Sequence, residues 1–75
     1  MPELCRVSGE QAVKALERLG FVRVRQRGSH VVMKKTTVDG SIGCVVPAHR
    51  VIAIGTLRSV LRQAGVSPEE FLGVL

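Results

Sequence analysis

The chain is short and lacks a long uninterrupted hydrophobic run. Its 75 residues exclude dinucleotide-binding folds, barrels and deep multi-layer active sites, because a domain of this size buries only about 60% of its unfolded surface. No apolar run approaches the roughly 18 residues of a membrane span, and the acidic N-terminus lacks the apolar region of a signal peptide. We therefore expect one two-layer domain over residues 1–75, with its core at about 8–72, in the cytoplasm and away from membranes.

Cysteine is also scarce. Cys5 and Cys44 are the only two thiols, and the chain has neither a CxxC spacing nor a cluster of cysteine and histidine. Two such cysteines are typical of reduced thiols in the cytoplasm. The sequence therefore predicts no metal site and no bound cofactor.

Acidic residues are outnumbered by basic ones. Eleven lysines and arginines oppose six aspartates and glutamates, which gives a net charge of +5 and a pI near 10.3. A small domain this basic attracts polyanions, of which nucleic acid is the commonest, although a basic surface can serve solubility alone. Eight of the eleven cations are arginine, the planar phosphate binder, and Arg23, Arg25 and Arg27 alternate within five residues.

Hydrophobic periodicity and turn residues define six elements. Ser8 and Gln11 have the spacing of a capping box, and Thr56 is a candidate N-cap for a later helix. The fold class is therefore α+β, a three-stranded antiparallel sheet with helices on one face and a short C-terminal helix. The predicted elements are a helix over 8–19, strands over 21–27, 30–35 and about 42–46, a helix over 57–64 and a short helix over about 68–73.

The first hairpin determines which side chains share a face. Gly28-Ser29 matches a two-residue type II′ turn, and directly opposed residues of a hairpin lie on the same face. This register places Arg27 opposite His30, Arg25 opposite Val32 and Arg23 opposite Lys34. One face then carries all of these side chains, and the core face carries Val22, Val24, Val31 and Met33.

The second turn extends this register. With Asp39-Gly40 as the two central residues, His30 lies opposite His49, and both histidines share the basic face. A slip of one residue would send His49 to the other side. Pro47 cannot donate to a ladder, which predicts that the third strand is an edge strand.

A histidine among arginines on an open sheet can carry out RNA cleavage. RNA supplies its own nucleophile, the 2′-hydroxyl, so cleavage needs a base, cations for the phosphorane charge and an acid for the leaving oxygen. His30 is the candidate base. The alternatives are that His30 is incidental beside a turn, that the arginine strand is only a solvated face, and that Gly28-Ser29 serves turn geometry alone. The apolar run over 51–54 is interpreted as packing.

Several separated motifs occur together in one order. They are Ser8-Gly9, Leu19-Gly20-Phe21, Arg25-Gln26-Arg27-Gly28-Ser29-His30, Val46-Pro47-Ala48-His49, and Gly55-Thr56-Leu57-Arg58 through Arg62-Gln63-Ala64-Gly65. These motifs closely resemble the HicA family of bacterial and archaeal toxins, formerly described as YcfA-like, and the resemblance covers about residues 8–72.

The resemblance implies a function as well as a fold. HicA proteins are similar in fold to double-stranded RNA-binding domains, with the order α-β-β-β-α, and act in type II toxin–antitoxin systems as mRNA interferases. The family's catalytic histidine is that of the Gly-Ser-His motif, which falls on His30. The implied partner is a HicB antitoxin that covers the active face, and contact with DNA is expected only through that antitoxin.

Two departures from related patterns qualify the substrate. Residues 52–54 are apolar where family members often carry lysine, and the last main helix offers only Arg58 and Arg62 in place of the lysine cluster with which double-stranded RNA-binding domains clamp phosphates. We therefore expect single-stranded RNA rather than duplex as the substrate. The role of general acid for His49 is inferred from the register and not from the family.

Three hypotheses follow. The first is a metal-independent endoribonuclease with His30 as base, His49 as a possible second acid or base, and Ser29 orienting the scissile group. The second is a non-catalytic RNA-binding module that uses the same face, and the third is a protein whose basic face docks an acidic partner. The residues expected to bind RNA are Arg23, Arg25, Arg27, Gly28, Ser29 and Lys34.

Overall fold

The computed structural model describes residues 3–75. The strands form one antiparallel sheet in the order β1-β2-β3, which confirms the α+β prediction and places β3, with Pro47, at an edge. Within residues 3–75, no helix has the length and apolarity needed to cross a bilayer. The elements are helix α1 (Gly9–Arg18), strands β1 (Val22–Arg27), β2 (His30–Thr37) and β3 (Gly40–Pro47), and helices α2 (Ile54–Ala64) and α3 (Pro68–Val74).

One face of the sheet is buried beneath the helices. Alternation along β2 and β3 sends every second side chain to this face, and the helices cover it with apolar side chains such as Leu16, Leu57 and Phe71. The other face has no helix packed over its centre, so its side chains meet solvent. The buried side chains of β2 and β3 are Val31, Met33, Cys44 and Val46.

The helix starts differ in how they are capped. The predicted capping box of α1 is present, because the Ser8 hydroxyl accepts the Gln11 N–H and the Gln11 side chain accepts the Ser8 N–H. Helix α2 begins at Ile54 with Ala53 as an N-cap that makes no side-chain hydrogen bond, so the prediction that Thr56 caps it is wrong. The Ile52 N–H donates to the Val7 carbonyl (2.7 Å), and the helix begins directly after that anchor.

The first hairpin folds as predicted at its turn. Gly28 has a φ of 58°, and Arg27 lies opposite His30 and Arg25 opposite Val32. Positive φ at the first central residue, without positive φ at Ser29, is the type II′ pattern. Arg25, Arg27 and His30 therefore share the open face of the sheet.

A β-bulge then overturns the predicted register further along β1. The register shifts between Arg23 and Arg25, so Arg23 lies opposite Met33, and Lys34 lies opposite Val22. The extra residue breaks the alternation, which moves Arg23 to the helix side of the sheet. The prediction that Arg23 opposes Lys34 on the open face is wrong, and so is the prediction that Val22 and Val24 are core residues, because they are 60% and 50% exposed.

The second turn is also displaced by one residue. Thr37 pairs with Gly40, so Val38 and Asp39 are the central residues and His30 lies opposite Pro47 instead of His49. A type I′ turn at Asp39-Gly40 would need positive φ at both residues, and none of the non-glycine residues in 3–75 has positive φ. The face of each β3 residue is nevertheless as predicted, because the pairing shifts by two residues along this strand.

Gly9 lets the start of α1 approach the end of β3 more closely than any other residue would. A Cβ at this position would overlap the Pro47 carbonyl oxygen and lie 2.8 Å from the Ala48 Cα. The Gly9 N–H in turn donates to the His49 carbonyl (2.8 Å). The segment 47–49 is therefore held against α1 by a contact that leaves no room for a side chain.

We expect Gly9→Ala to destabilise the fold by about 1–3 kcal/mol, because the added methyl group has to push backbone aside. Gly55→Ala is the matched control, since it also adds a methyl group in the first turn of a helix but meets nothing within 4 Å. Urea unfolding of the two variants measures the difference. Equal free energies of unfolding would show that the close approach is not a constraint.

Candidate functional site

The open face carries a row of cations beside the predicted catalytic histidine. We use the name open face for the exposed side of the sheet that includes Arg25, Arg27, His30, Val32 and Lys34. His30 is exposed, and its direct neighbours are Arg27 on β1 and Pro47 on β3. Lys34 lies further along β2, between Val22 and Gly43.

The position of His30 is determined by backbone contacts. His30 is the first residue of β2, directly after the turn, and the Ala48 N–H donates to the Ser29 carbonyl (2.6 Å). The Gln26 side-chain amide donates to the Gly28 carbonyl at 3.0 Å. The turn is therefore tied both to its own strand and to the segment after β3.

His49 lies beyond the end of β3 and still reaches the same cavity as His30. Both side chains line a groove of about 410 Å³ that lies between the open face and α2. We call it the histidine groove, and its other lining residues include Val45, Pro47, Thr56 and Gln63. The predicted direct opposition of the two histidines is wrong, but the structure brings them to one cavity.

A second cavity lies on the helix side of the sheet. It has a volume of about 480 Å³, and its lining includes Arg23, Gln26, His49 and Arg50. We call it the arginine groove. Glu10 is the one acidic residue of its lining. Because His49 lines both cavities, segment 47–49 forms the ridge between them.

Positive charge dominates the arginine groove and the open face. Within residues 3–75, the one ion pair found is that of Lys14 with Glu10, at 3.4 Å and exposed. The arginines of the open face and of the arginine groove are therefore free of carboxylate partners in the described part of the chain. Guanidinium groups in this state can bind phosphate.

Neither cysteine adds a nucleophile to this region. Cys44 is buried in the core, and burial raises the pKa of its thiol to about 11, so the thiol stays protonated near neutral pH. Cys5 is exposed and lies outside both cavities. Among residues 3–75, no three side chains of histidine, cysteine, aspartate or glutamate come together as a metal site.

Sequence reasoning missed the α2 wall of the histidine groove and also missed Arg50. Thr56, Ser59 and Gln63 line this groove, and their spacing puts them on one helical face. That stripe was detectable beside the apolar stripe of the helix, but its direction toward His30 was not. Arg50 was undetectable because segment 48–50 lies beyond the end of β3, where its path depends on the packing of Gly9 against it.

An exposed imidazole beside guanidinium groups can exchange a proton with a hydroxyl of a bound polyanion. The groove next to it is large enough for a ligand, since small-molecule sites start at about 300 Å³.

The comparisons with known proteins give one match, to a protein family. No curated protein matches the chain. The protein-family model of the HicA toxin of bacterial toxin–antitoxin systems matches residues 9–66. This range includes the first hairpin, both histidines and the whole of α2. The chain therefore belongs to the HicA toxin family.

Proposed function

We propose that this toxin is a metal-independent endoribonuclease that cleaves mRNA in the cytoplasm and so stops translation. Membership of the family supports an RNase-type activity in general and a place in a toxin–antitoxin pair. The observation that carries the finer proposal is the exposed His30 at the edge of the histidine groove, directly opposite Arg27.

His30 is the proposed general base. It takes the proton of a ribose 2′-hydroxyl, and the oxygen attacks the adjacent phosphorus, forming the P–O2′ bond and breaking the P–O5′ bond. The products are a 2′,3′-cyclic phosphate and a 5′-hydroxyl end. The step needs no external nucleophile, because the substrate contains it, and positioned general bases contribute about 10²–10⁴-fold.

Arg25, Arg27 and Lys34 are proposed to bind phosphates along the open face. Their charge stabilises the dianionic phosphorane, which carries more negative charge than the ground state. Gly28 and Ser29 present the turn to the backbone of the substrate, and Ser29 orients the scissile group. A single strand fits this surface better than a duplex, since its phosphates and bases can both reach a narrow sheet.

His49 is proposed as the general acid. It lines the same groove as His30, so it can reach the far side of a phosphate bound there and protonate the leaving 5′-oxygen. Arg23 is proposed to bind a phosphate further along the strand, from the arginine groove instead of the open face.

The antitoxin is proposed to be a HicB-like protein that covers the open face. The family implies an antitoxin partner. The open face combines cations with exposed apolar side chains, among them Val22 and Val45, which fits a partner that presents acidic and apolar groups together. Contact with DNA would then be made by the antitoxin.

We expect His30→Ala to lower cleavage of a single-stranded transcript by at least about 100-fold, because the base is lost. Thr36→Ala, also exposed on β2, is the matched control and should cleave at the wild-type rate. A substrate with one 2′-deoxyribose at the cut site should resist the wild-type protein. Product ends are identified by mass spectrometry.

The result distinguishes the enzyme from a non-catalytic RNA-binding module. Cleavage by His30→Ala at the wild-type rate would contradict the assignment of the base. Binding of RNA by the wild-type protein with no cleavage at all would favour the binding module.

We expect cleavage to be unchanged by EDTA, because the proposed base, acid and charge stabilisation all come from side chains. The measurement is the initial rate of transcript cleavage before and after chelation and dialysis. Loss of activity that returns on addition of Mg²⁺ or Mn²⁺ would overturn the metal-independent mechanism.

We expect the double variant Arg25→Gln, Arg27→Gln to weaken RNA binding and to reduce the slope of log K against log salt by about 1.4, the value for two lost contacts to a single strand. Arg58→Gln with Arg62→Gln is the control, because it removes the same charge from a separate hollow of α2 that also contains Val66 and Pro68. A slope in the Arg25→Gln, Arg27→Gln variant equal to that of the wild-type protein would mean that these arginines bind no phosphates.

A further inference from the structure

The wall of the histidine groove opposite the sheet is a stripe of polar side chains on α2. Thr56, Ser59 and Gln63 line the groove, and all three are exposed. Residues at this spacing lie one above another along a helix. The stripe lines the same cavity that His30 borders.

The rest of the lining is mainly apolar. Val45 and Val51 are 39% and 57% exposed, and both line the groove together with Pro47. A cavity with apolar walls and a few placed polar groups is the usual form of a site for a small planar ligand. A nucleobase has this chemistry, with two apolar faces and a polar edge.

The orientation of the Gln63 amide is determined by the edge strand. The Val45 N–H donates to the Gln63 Oε1 at 3.1 Å. This backbone N–H lies on an edge strand and needs an acceptor, so the oxygen of the amide has to face β3. The Nε2 group is then left with its two N–H donors on the other side.

We infer that the histidine groove binds the base next to the scissile phosphate and that Gln63 selects it, through Nε2 donors that contact a carbonyl oxygen or ring nitrogen of the base edge. The inference rests on the proposed function, because it places the base beside the phosphate that His30 acts on. Sequence-specific recognition of RNA usually takes splayed single-stranded bases, read along their edges. The Thr56 and Ser59 hydroxyls supply further donors and acceptors along the same wall.

Gln63→Glu tests this inference without removing the contact to β3. The carboxylate still accepts the Val45 N–H, whereas both Nε2 donors become acceptors. The substrate is a set of single-stranded RNAs in which each position flanking the cut carries each of the four bases, and the readout is the ratio of cleavage rates within one variant. A ratio is insensitive to a uniform loss of rate from the added charge.

We expect the wild-type protein to discriminate at one flanking position by about tenfold, as a specific base contact does. In Gln63→Glu the ranking at that position should shift toward bases that present an amino group. Gln11→Glu is the matched control, because it makes the same substitution at an exposed glutamine in the capping box of α1, and its ranking should equal that of the wild type.

An unchanged ranking in Gln63→Glu would overturn the inference and would assign Gln63 to the support of β3 alone. Failure of the proposed function gives a different result. Cleavage by His30→Ala at the wild-type rate would show that His30 is not the general base, and it would leave any ranking of the flanking nucleobases unchanged. A wild-type protein that cuts with no preference at any position would also overturn the assignment of Gln63.

Discussion

The close approach of Gly9 to the Pro47 carbonyl is the contact on which the rest of the site depends. It brings the start of α1 onto the end of β3, and the hydrogen bond from the Gly9 N–H to the His49 carbonyl fixes the segment that follows. The Ala48 N–H, held in this segment, then reaches the Ser29 carbonyl in the first turn. Helix, edge strand and hairpin are thus joined through backbone atoms only, and both histidines lie next to that junction.

A junction made of backbone atoms suits a chain of this size. A domain with a small core does little to stabilise its loops. A functional side chain is therefore held more precisely at the end of a strand than in a loop. His30 meets this condition, because β2 begins with it and the turn before it is tied at Gly28 and Ser29. The side chain itself remains exposed, since positioning by the backbone does not require its burial.

Local chemistry made much of the fold predictable, and the errors in the strand register have one physical origin. The type II′ turn at Gly28 and the capping box at Ser8 each depend on residues close in sequence, and both are present. The position of Arg23 depends on a bulge, and the partner of His30 depends on the choice between two overlapping turns. One extra residue in a ladder changes the face of every residue beyond it. The sequence of 22–27 contains no local pattern that predicts the bulge.

The same register errors explain why the candidate site could be predicted only in part. His30, Arg25 and Arg27 lie on the two strands nearest the turn, where the pairing counted from the turn is still correct. His49 and the α2 wall lie where several elements meet, and their relation to His30 follows from the Gly9 contact and the path of segment 48–53. A groove formed between elements that are distant in sequence is a property of packing. It follows that the residues proposed for proton transfer and phosphate binding were accessible to sequence reasoning, while those proposed to choose the base became visible only in the folded chain.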